Sequence, residues 1–457
     1  MLKFKKSTEI EDPLFPQQRL MALLVPLIIE QILTVTISAA DTVMVSTCGE
    51  AAVSSVSLVT QITVLLNQLF AAMSTGGAVI TAQYIGRKDY DNARRTAKQL
   101  IYLCVSIGVI ISACILLFHR PILSFIYGKI EEEVMTNCIK YFVICGMGRP
   151  FIAMYNASAA LFRAVGNSRI SMIVSMVINT LNVCGNAILI FGFDLGVAGA
   201  AIATMVSYTI GSIILTVLLC RKSGNEEALY IEKIYKPIFN FGMIKRILGI
   251  GIPNGLENSM FHLGRLLVAS LITTFGTASI AANAVSNTIS NFALIPGTAV
   301  GIAMVTVIGQ CMGAGKVDQA VYYTKKLLSY MYAGMIIMNA AIFIFASPIL
   351  SCFSLSTEAF EKARFILRVY TFLSATIWPV AFGLPHTFRA SGDTKFTMIV
   401  SVTSMWIFRI GCSYLLALGF GLELNGVWYA MYIDWIVRST IFVIHFIRGK
   451  WKTIKVI

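Results

Sequence analysis

Charge is what this chain has least of. Only 13% of its 457 residues are Asp, Glu, Lys or Arg, about half the share of a soluble domain. With 57% hydrophobic residues and a mean hydropathy of +0.78, that scarcity excludes a soluble globular domain and indicates an integral membrane protein. A P-loop and a Gly-x-Gly-x-x-Gly after a strand are both missing, so nothing suggests ATP hydrolysis or dinucleotide binding. The four histidines (119, 262, 386 and 445) are dispersed, which leaves no catalytic or metal cluster and argues against an enzyme. Ten cysteines form neither a Cys-x-x-Cys nor a Cys/His spacing. Cys104, Cys114, Cys184 and Cys220 lie in apolar runs and read as small buried hydrophobes in reduced form. Residues 1–19 hold no cleavable apolar core and read as a cytoplasmic tail, not a signal peptide. The net charge of +14 sits in short segments between apolar runs. That placement suits topology determinants and excludes nucleic acid as the reason for it.

What is abundant is apolar sequence of bilayer length. Twelve spans stand out, at 20–45, 56–80, 97–118, 139–161, 168–192, 196–219, 247–274, 281–308, 327–347, 365–388, 395–419 and 424–447. Each must be helical, because hydrocarbon offers no partner to an unpaired backbone group. Lys and Arg concentrate after even-numbered spans, as in Arg87, Lys88, Arg94 and Arg95. The loop after span 3 carries Glu131, Glu132 and Glu133. Both termini and the even-numbered loops are therefore expected in the cytoplasm.

The two halves repeat. Pro26 and Glu30 match Pro253 and Glu257 at an offset of 227, which also carries Gln83, Gly86, Asp91 and Lys98 onto Gln310, Gly313, Asp318 and Lys325. Arg163 in LFRAVGNSR matches Arg389 in TFRASGDTK. One nearly constant offset over so many positions signals duplication. Six spans per copy is an even number, so the copies share one orientation, the parallel-repeat plan of some secondary transporters. The expected parts are a tail (1–19), a first six-helix bundle (20–219), a cytoplasmic linker (220–246), a second bundle (247–447) and a short tail (448–457).

Carboxylates within spans carry the functional signal. A charge at hydrocarbon depth costs at least about 2.5–3.5 kcal/mol by insertion scales and is a functional candidate by default. Glu30 and Asp41 in span 1 and Glu257 in span 7 qualify. Asp434 and Arg438, at i and i+4, form a local pair that Arg409 is placed to join.

The kinked first span ending in AADTVMV, the loops AQYIGRKDYDNARR and GQCMGAGKVDQA, the FRAVGNSR/FRASGDTK pair and NTLNVCGNAILIFGFDLGVAGAAIAT together resemble the multidrug and toxic compound extrusion (MATE) transporters. The resemblance runs from about Leu20 to about Arg448 and implies an all-α, twelve-helix MATE/MOP-like antiporter. Such antiporters expel organic, often cationic, compounds in exchange for H⁺ or Na⁺. The chain is similar to the DinF-like branch, which implies a coupling site at Asp41 with Asn182, Asn186 and Thr204. That branch often has a second Asp where this chain has Asn186. The NorM-like branch would use Glu257 with an Asp in span 10, and span 10 here has none. Four oxygens at Asp41, Asn182, Asn186 and Thr204 suit Na⁺; one carboxylate among neutral partners equally serves a proton. The absent second carboxylate favours H⁺. Glu30 and Glu257 are further candidates for coupling or for contact with a cationic drug. No cofactor beyond the coupling ion is expected. The expected partners are small organic cations and the bilayer, for a monomer in a bacterial plasma membrane. The rival reading is a flippase for lipid-linked oligosaccharides or peptidoglycan precursors, of related fold.

Overall fold

The structure, a computed structural model, describes residues 12–128, 130–222, 229–232, 234–236 and 238–457. Residues 1–11 of the expected tail and 223–228, 233 and 237 of the expected linker lie outside the described residues.

The chain runs back and forth through twelve helical passes. These are α1 (Gln17–Ser46), α2 (Glu50–Gly86), α3 (Tyr90–Tyr127), α4 (Glu132–Met147 with Arg149–Ala164), α5 (Ser168–Gly192) and α6 (Gly196–Cys220). The second copy comprises α7 (Phe241–Ile272), α8 (Gly276–Ala293 with Ile295–Gly313), α9 (Val317–Ile344), α10 (Thr357–Thr376 with Pro379–Ser391), α11 (Thr394–Gly419) and α12 (Glu423–Arg448). By length and apolarity alone, ten of the described helices qualify to cross a membrane, and eleven when the 55° bent pair of α10 counts as one. The path gives twelve because the two pieces of α4 together make one further pass. The two pieces of α4 have 16 residues each, about 24 Å and too short to cross singly. The Phe241–Ala293 stretch is 53 residues long, about 80 Å of helix, and it turns back at Gly276. There φ is 83° and ψ is 170°. Gly49 makes the equivalent turn between α1 and α2 with φ 100° and ψ 170°, a conformation open to glycine because it lacks a Cβ.

Several helices outrun the apolar spans that announce them. α2 has 37 residues, a rod of about 56 Å against about 30 Å of hydrocarbon, and α3 has 38 with a kink at Phe118. Hydropathy marks only the lipid-embedded part of a helix, while its hydrogen bonds continue into water. The outer surface stays apolar: Phe125, Leu117 and Ile447 are 91%, 73% and 75% exposed. Cys114 and Cys184 are exposed as well, which corrects their reading as buried hydrophobes. Lipid covers an apolar face without any protein contact.

The halves meet where α2 crosses α7 and α8, and where α1 crosses α8. The chain is also tied across the halves. Phe15 is buried, its N–H bonds the Tyr323 hydroxyl at 3.1 Å, and that hydroxyl donates to its carbonyl at 2.9 Å. Residues 12–17 thus lie on α9 of the second half. Val456 and Ile457, at the other end, pack against the core of the first half.

Candidate functional site

Each half begins with the same local problem. Pro26 has no N–H for the carbonyl four residues back, and a bare carbonyl in a membrane is costly. The Ser168 hydroxyl at the start of α5 reaches that carbonyl, Ala22 O, at 3.4 Å and donates more closely to the neighbouring Leu23 O at 2.7 Å. In the second copy Pro253 frees Gly249 O, and Thr394 Oγ1 at the start of α11 reaches it at 3.4 Å. This places the head of α5 or α11 against the proline of α1 or α7. One turn beyond each proline stands the glutamate. Arg163 Nη1 meets Glu30 Oε1 at 2.9 Å, and Arg389 Nη2 meets Glu257 Oε1 at 2.7 Å.

The two glutamates differ in their second oxygen. Ser171 donates to Glu30 Oε2 at 3.0 Å. Thr397, the counterpart of Ser171, turns its hydroxyl to Thr394 O. Glu257 Oε2 is left buried with no partner among the described residues.

Asp41, Asn182, Asn186 and Thr204 come together at one place, away from both glutamates. α1 delivers Asp41 near its end. α5 presents Asn182 and Asn186 one turn apart, and α6 presents Thr204. Asn186 Nδ2 donates to Asp41 Oδ1 at 2.6 Å and lies 3.3 Å from Asn182 Oδ1. Asn182 Nδ2 donates to Thr204 Oγ1 at 3.0 Å, which passes its own proton to Ala200 O. Asn186 Oδ1 and Asn179 Nδ2 are buried and unpartnered among the described residues. Asp41, Asn179, Asn182 and Thr204 line a cavity of about 160 Å³ inside the first half.

That cavity holds a charge the sequence did not place there. Arg149 starts the second piece of α4, is 2% exposed, and bonds Asn67 Oδ1 at 3.1 Å. Among the described residues no ion pair joins it to Asp41. The available signal was Gly148-Arg149-Pro150, a charge at a helix break in mid-span. Spacing could not say that α4 faces α1 here.

A second cavity, of about 530 Å³, lies between the halves. Thr75, Ala78, Asn156 and Arg163 reach it from the first half; Glu257, Arg265, Phe261, Phe382, His386, Arg389 and Arg438 reach it from the second. The halves are also joined by a symmetric crossing. Gln83 Nε2 donates to Ala390 O at 2.8 Å, and Gln310 Nε2 to Ala164 O at 2.7 Å. These bonds join each half to the other through equivalent residues.

A family model described as MatE matches the chain twice, over residues 26–188 and 253–415. The two matches have equal length, start 227 positions apart, and together cover more than two thirds of the chain. The chain belongs to the MatE family.

Among its relatives, this MatE protein is 26% identical to a probable multidrug resistance protein NorM of Thermotoga maritima over 445 residues, covering 95% of this chain and 93% of that one. It is 24% identical to the multidrug export protein MepA of Staphylococcus aureus over 352 residues, or 77% and 76% of the two chains. In fold it is similar to a crystal structure of MATE in the bent conformation, with a TM-score of 0.86 at 21% identity and 95% coverage of each chain. The MatE chain is thus a multi-pass membrane protein of a transporter family, with twelve helices in two parallel six-helix repeats.

The second half of this MatE protein has a polar cluster of its own. Asp434 accepts from Arg438 Nε at 2.9 Å and from the Ser404 hydroxyl. Arg409 does not complete an ion pair with Asp434. Its guanidinium lies over the Phe261 ring at 5.3 Å, because α11 is wound into wide turns over Met405–Gly411 and packs its arginine against the aromatic wall.

Proposed function

We propose that this protein is a secondary active multidrug efflux transporter that exchanges small organic compounds for H⁺. The observation that carries the reading is the separation of two polar cavities. A small one holds Asp41 and its amide partners; a larger one, between the halves, has drug-like volume, since such sites run about 300–1,000 Å³. Exchange requires that each ligand favour a different state of the protein. Asp41 offers two such states. As a carboxylate it accepts from Asn186 Nδ2. As an acid it donates to Asn186 Oδ1 after the amide turns over, and that oxygen is otherwise unpartnered.

Na⁺ is the alternative coupling ion, with Asp41, Asn182, Asn186 and Thr204 as its donors. Among the described residues Asp41 is the one carboxylate lining that cavity, and the lack of a second negative charge for Na⁺ supports H⁺. Glu30 is fully engaged and serves structure in this reading. The free Oε2 of Glu257 is the acceptor for a cationic substrate group. The positions of Lys and Arg support cytoplasmic termini. The bacterial relatives support a plasma membrane, where the chain works as a monomer, and no feature of the site requires catalysis.

The deciding experiment is dye efflux from proteoliposomes under separately imposed pH and Na⁺ gradients. Wild type is expected to respond to the pH gradient, and Asp41→Asn to lose gradient-driven efflux while remaining folded. Undiminished efflux by a well-expressed Asp41→Asn protein would remove Asp41 from the mechanism and direct attention to Glu257.

A further inference from the structure

The second half holds more positive charge at membrane depth than it can neutralise. Arg438 is paired with Asp434. Arg265 and Arg438 both lie within electrostatic reach of Arg409. Among the described residues Asp434 is the one acid bonded to this group, so three guanidinium charges share one carboxylate. Counting the whole wall of the large cavity does not change the excess, because Arg163 is answered by Glu30 and Arg389 by Glu257. Arg265 and Arg409 have no hydrogen-bonded or ion-paired acid among the described residues, and Arg409 Nε is buried without a partner.

Aromatic rings take part of the load. Phe261 has the Arg409 guanidinium at 5.3 Å and that of Arg438 at 5.6 Å, and Arg438 also lies 5.4 Å from the Phe382 ring. Trp378 stacks on Phe382 at 5.1 Å. Cation–π contacts offset a cation only in part. An intramembrane cation that faces a cavity without a counter-ion marks a ligand pathway. Arg265, Arg438, Phe261, Phe382 and Trp378 all line the 530 Å³ cavity, so guanidinium groups and flat apolar faces are presented to the same space.

We propose that this end of the large cavity is an anion-recognition subsite, and that the transporter accepts amphiphilic organic anions: a carboxylate, sulfonate or phosphate on an aromatic body. The anionic group meets Arg265 and Arg438, with Arg409 behind Phe261 adding to the field. The ring system lies against Phe261, Phe382 and Trp378. Guanidinium forks suit such groups because two N–H donors match two oxygens. A cavity of this volume admits two or three fused rings. The inference deepens the efflux reading by naming a substrate class for its larger cavity.

The test uses the full-length protein in phosphatidylcholine nanodiscs, with binding of carboxyfluorescein, an aromatic anion, followed by fluorescence anisotropy. Rhodamine 6G, a cation of similar size, is run in parallel. Saturable binding of carboxyfluorescein is expected. It should weaken at least tenfold in Arg265→Gln and recover in Arg265→Lys, while rhodamine 6G binds Arg265→Gln as well as or better than wild type. No saturable carboxyfluorescein binding by folded wild-type protein would overturn the proposal, as would unchanged binding by Arg265→Gln. A second arm adds phosphatidylglycerol to the discs. Abolition of dye binding at a few lipids per protein would assign the subsite to a lipid headgroup and overturn the substrate claim; binding that persists supports it. Efflux of rhodamine 6G under a pH gradient separates the two readings. If it fails while carboxyfluorescein still binds, the coupling mechanism falls and the subsite stands.

Discussion

Glu30 and Glu257 hold equivalent positions, yet one hydroxyl separates their roles. With Arg163 and Ser171 as partners, Glu30 has both oxygens engaged in a buried site. Removing one member of such a pair strands the other charge and costs about 3–5 kcal/mol. Glu30→Gln is therefore expected to lower the thermal midpoint in detergent. The double variant Glu30→Gln/Arg163→Gln should lose less than the sum of the singles; strict additivity would show that the pair is not coupled. At Asp41 the reasoning concerns charge, not stability. Asn186→Asp places a second carboxylate 2.6 Å from where the amide nitrogen now bonds, supplying the second negative charge needed to hold Na⁺. Efflux by that variant should gain a response to an imposed Na⁺ gradient. A response to pH alone, as in wild type, would argue that amide geometry and not charge sets ion choice.

At the prolines inside α1 and α7 a side chain from elsewhere takes over the lost bond. Ser168 at Pro26 and Thr394 at Pro253 do so in parallel. Ser168→Ala leaves the carbonyls of Ala22 and Leu23 without that donor in a buried site, a loss of about 1–3 kcal/mol. In a Pro26→Ala background α1 supplies its own donor and the same substitution should cost less; equal costs in both backgrounds, measured by thermal unfolding, would contradict the account. The segment ahead of α1 is held by side chains of α9. Truncating the buried Phe15 to Ala is expected to cost about 3–5 kcal/mol and to expose residues 12–17 to protease. Its outer contact is electrostatic, with Lys316 Nζ 2.9 Å from Asp12 Oδ2. That ammonium holds the Asp12 carboxyl below its ordinary value. A lowered folded value means that the contact is present above the unfolded value and is lost as pH falls through the lowered one. Acid, rather than base, loosens this end.

At the scale of the whole molecule, two glycines set how closely the halves approach. A Cβ on Gly86 would fall 2.0 Å from Gln310 O, and one on Gly313 would fall 1.9 Å from Gln83 O. Backbone stands in the way in both cases, so an added methyl must separate the halves at the end joined by the two glutamine bonds. Gly86→Ala and Gly313→Ala should impair transport to similar degrees while each half stays folded. Spin labels on α2 and α8 should report an increased distance at that end; full transport by either variant would show that the crossing opens freely. The orientation of that end is tested by cysteine accessibility. Labelling of a cysteine at 131–133 from outside only is expected, and labelling from the cytoplasm only would invert the topology.

Hydropathy determined the number of passes and their order, because a bilayer of set thickness demands about twenty apolar residues per helix whatever the neighbours are. The fixed offset determined the repeat, so the matched positions of Pro26 with Pro253 and Arg163 with Arg389 were legible before any geometry. The cluster of Asp41, Asn182, Asn186 and Thr204 was reached through family resemblance, and the Asn spacing alone told only that they share a helix face. Partnerships were decided by tertiary structure. Arg163 finds Glu30 from 133 residues away, Arg149 enters the Asp41 cavity, and Arg409 turns onto Phe261 instead of Asp434. Each outcome depends on the rotation and tilt of one helix against another. Those are set by packing over whole helix faces, and a pattern read along one strand of sequence carries no record of them.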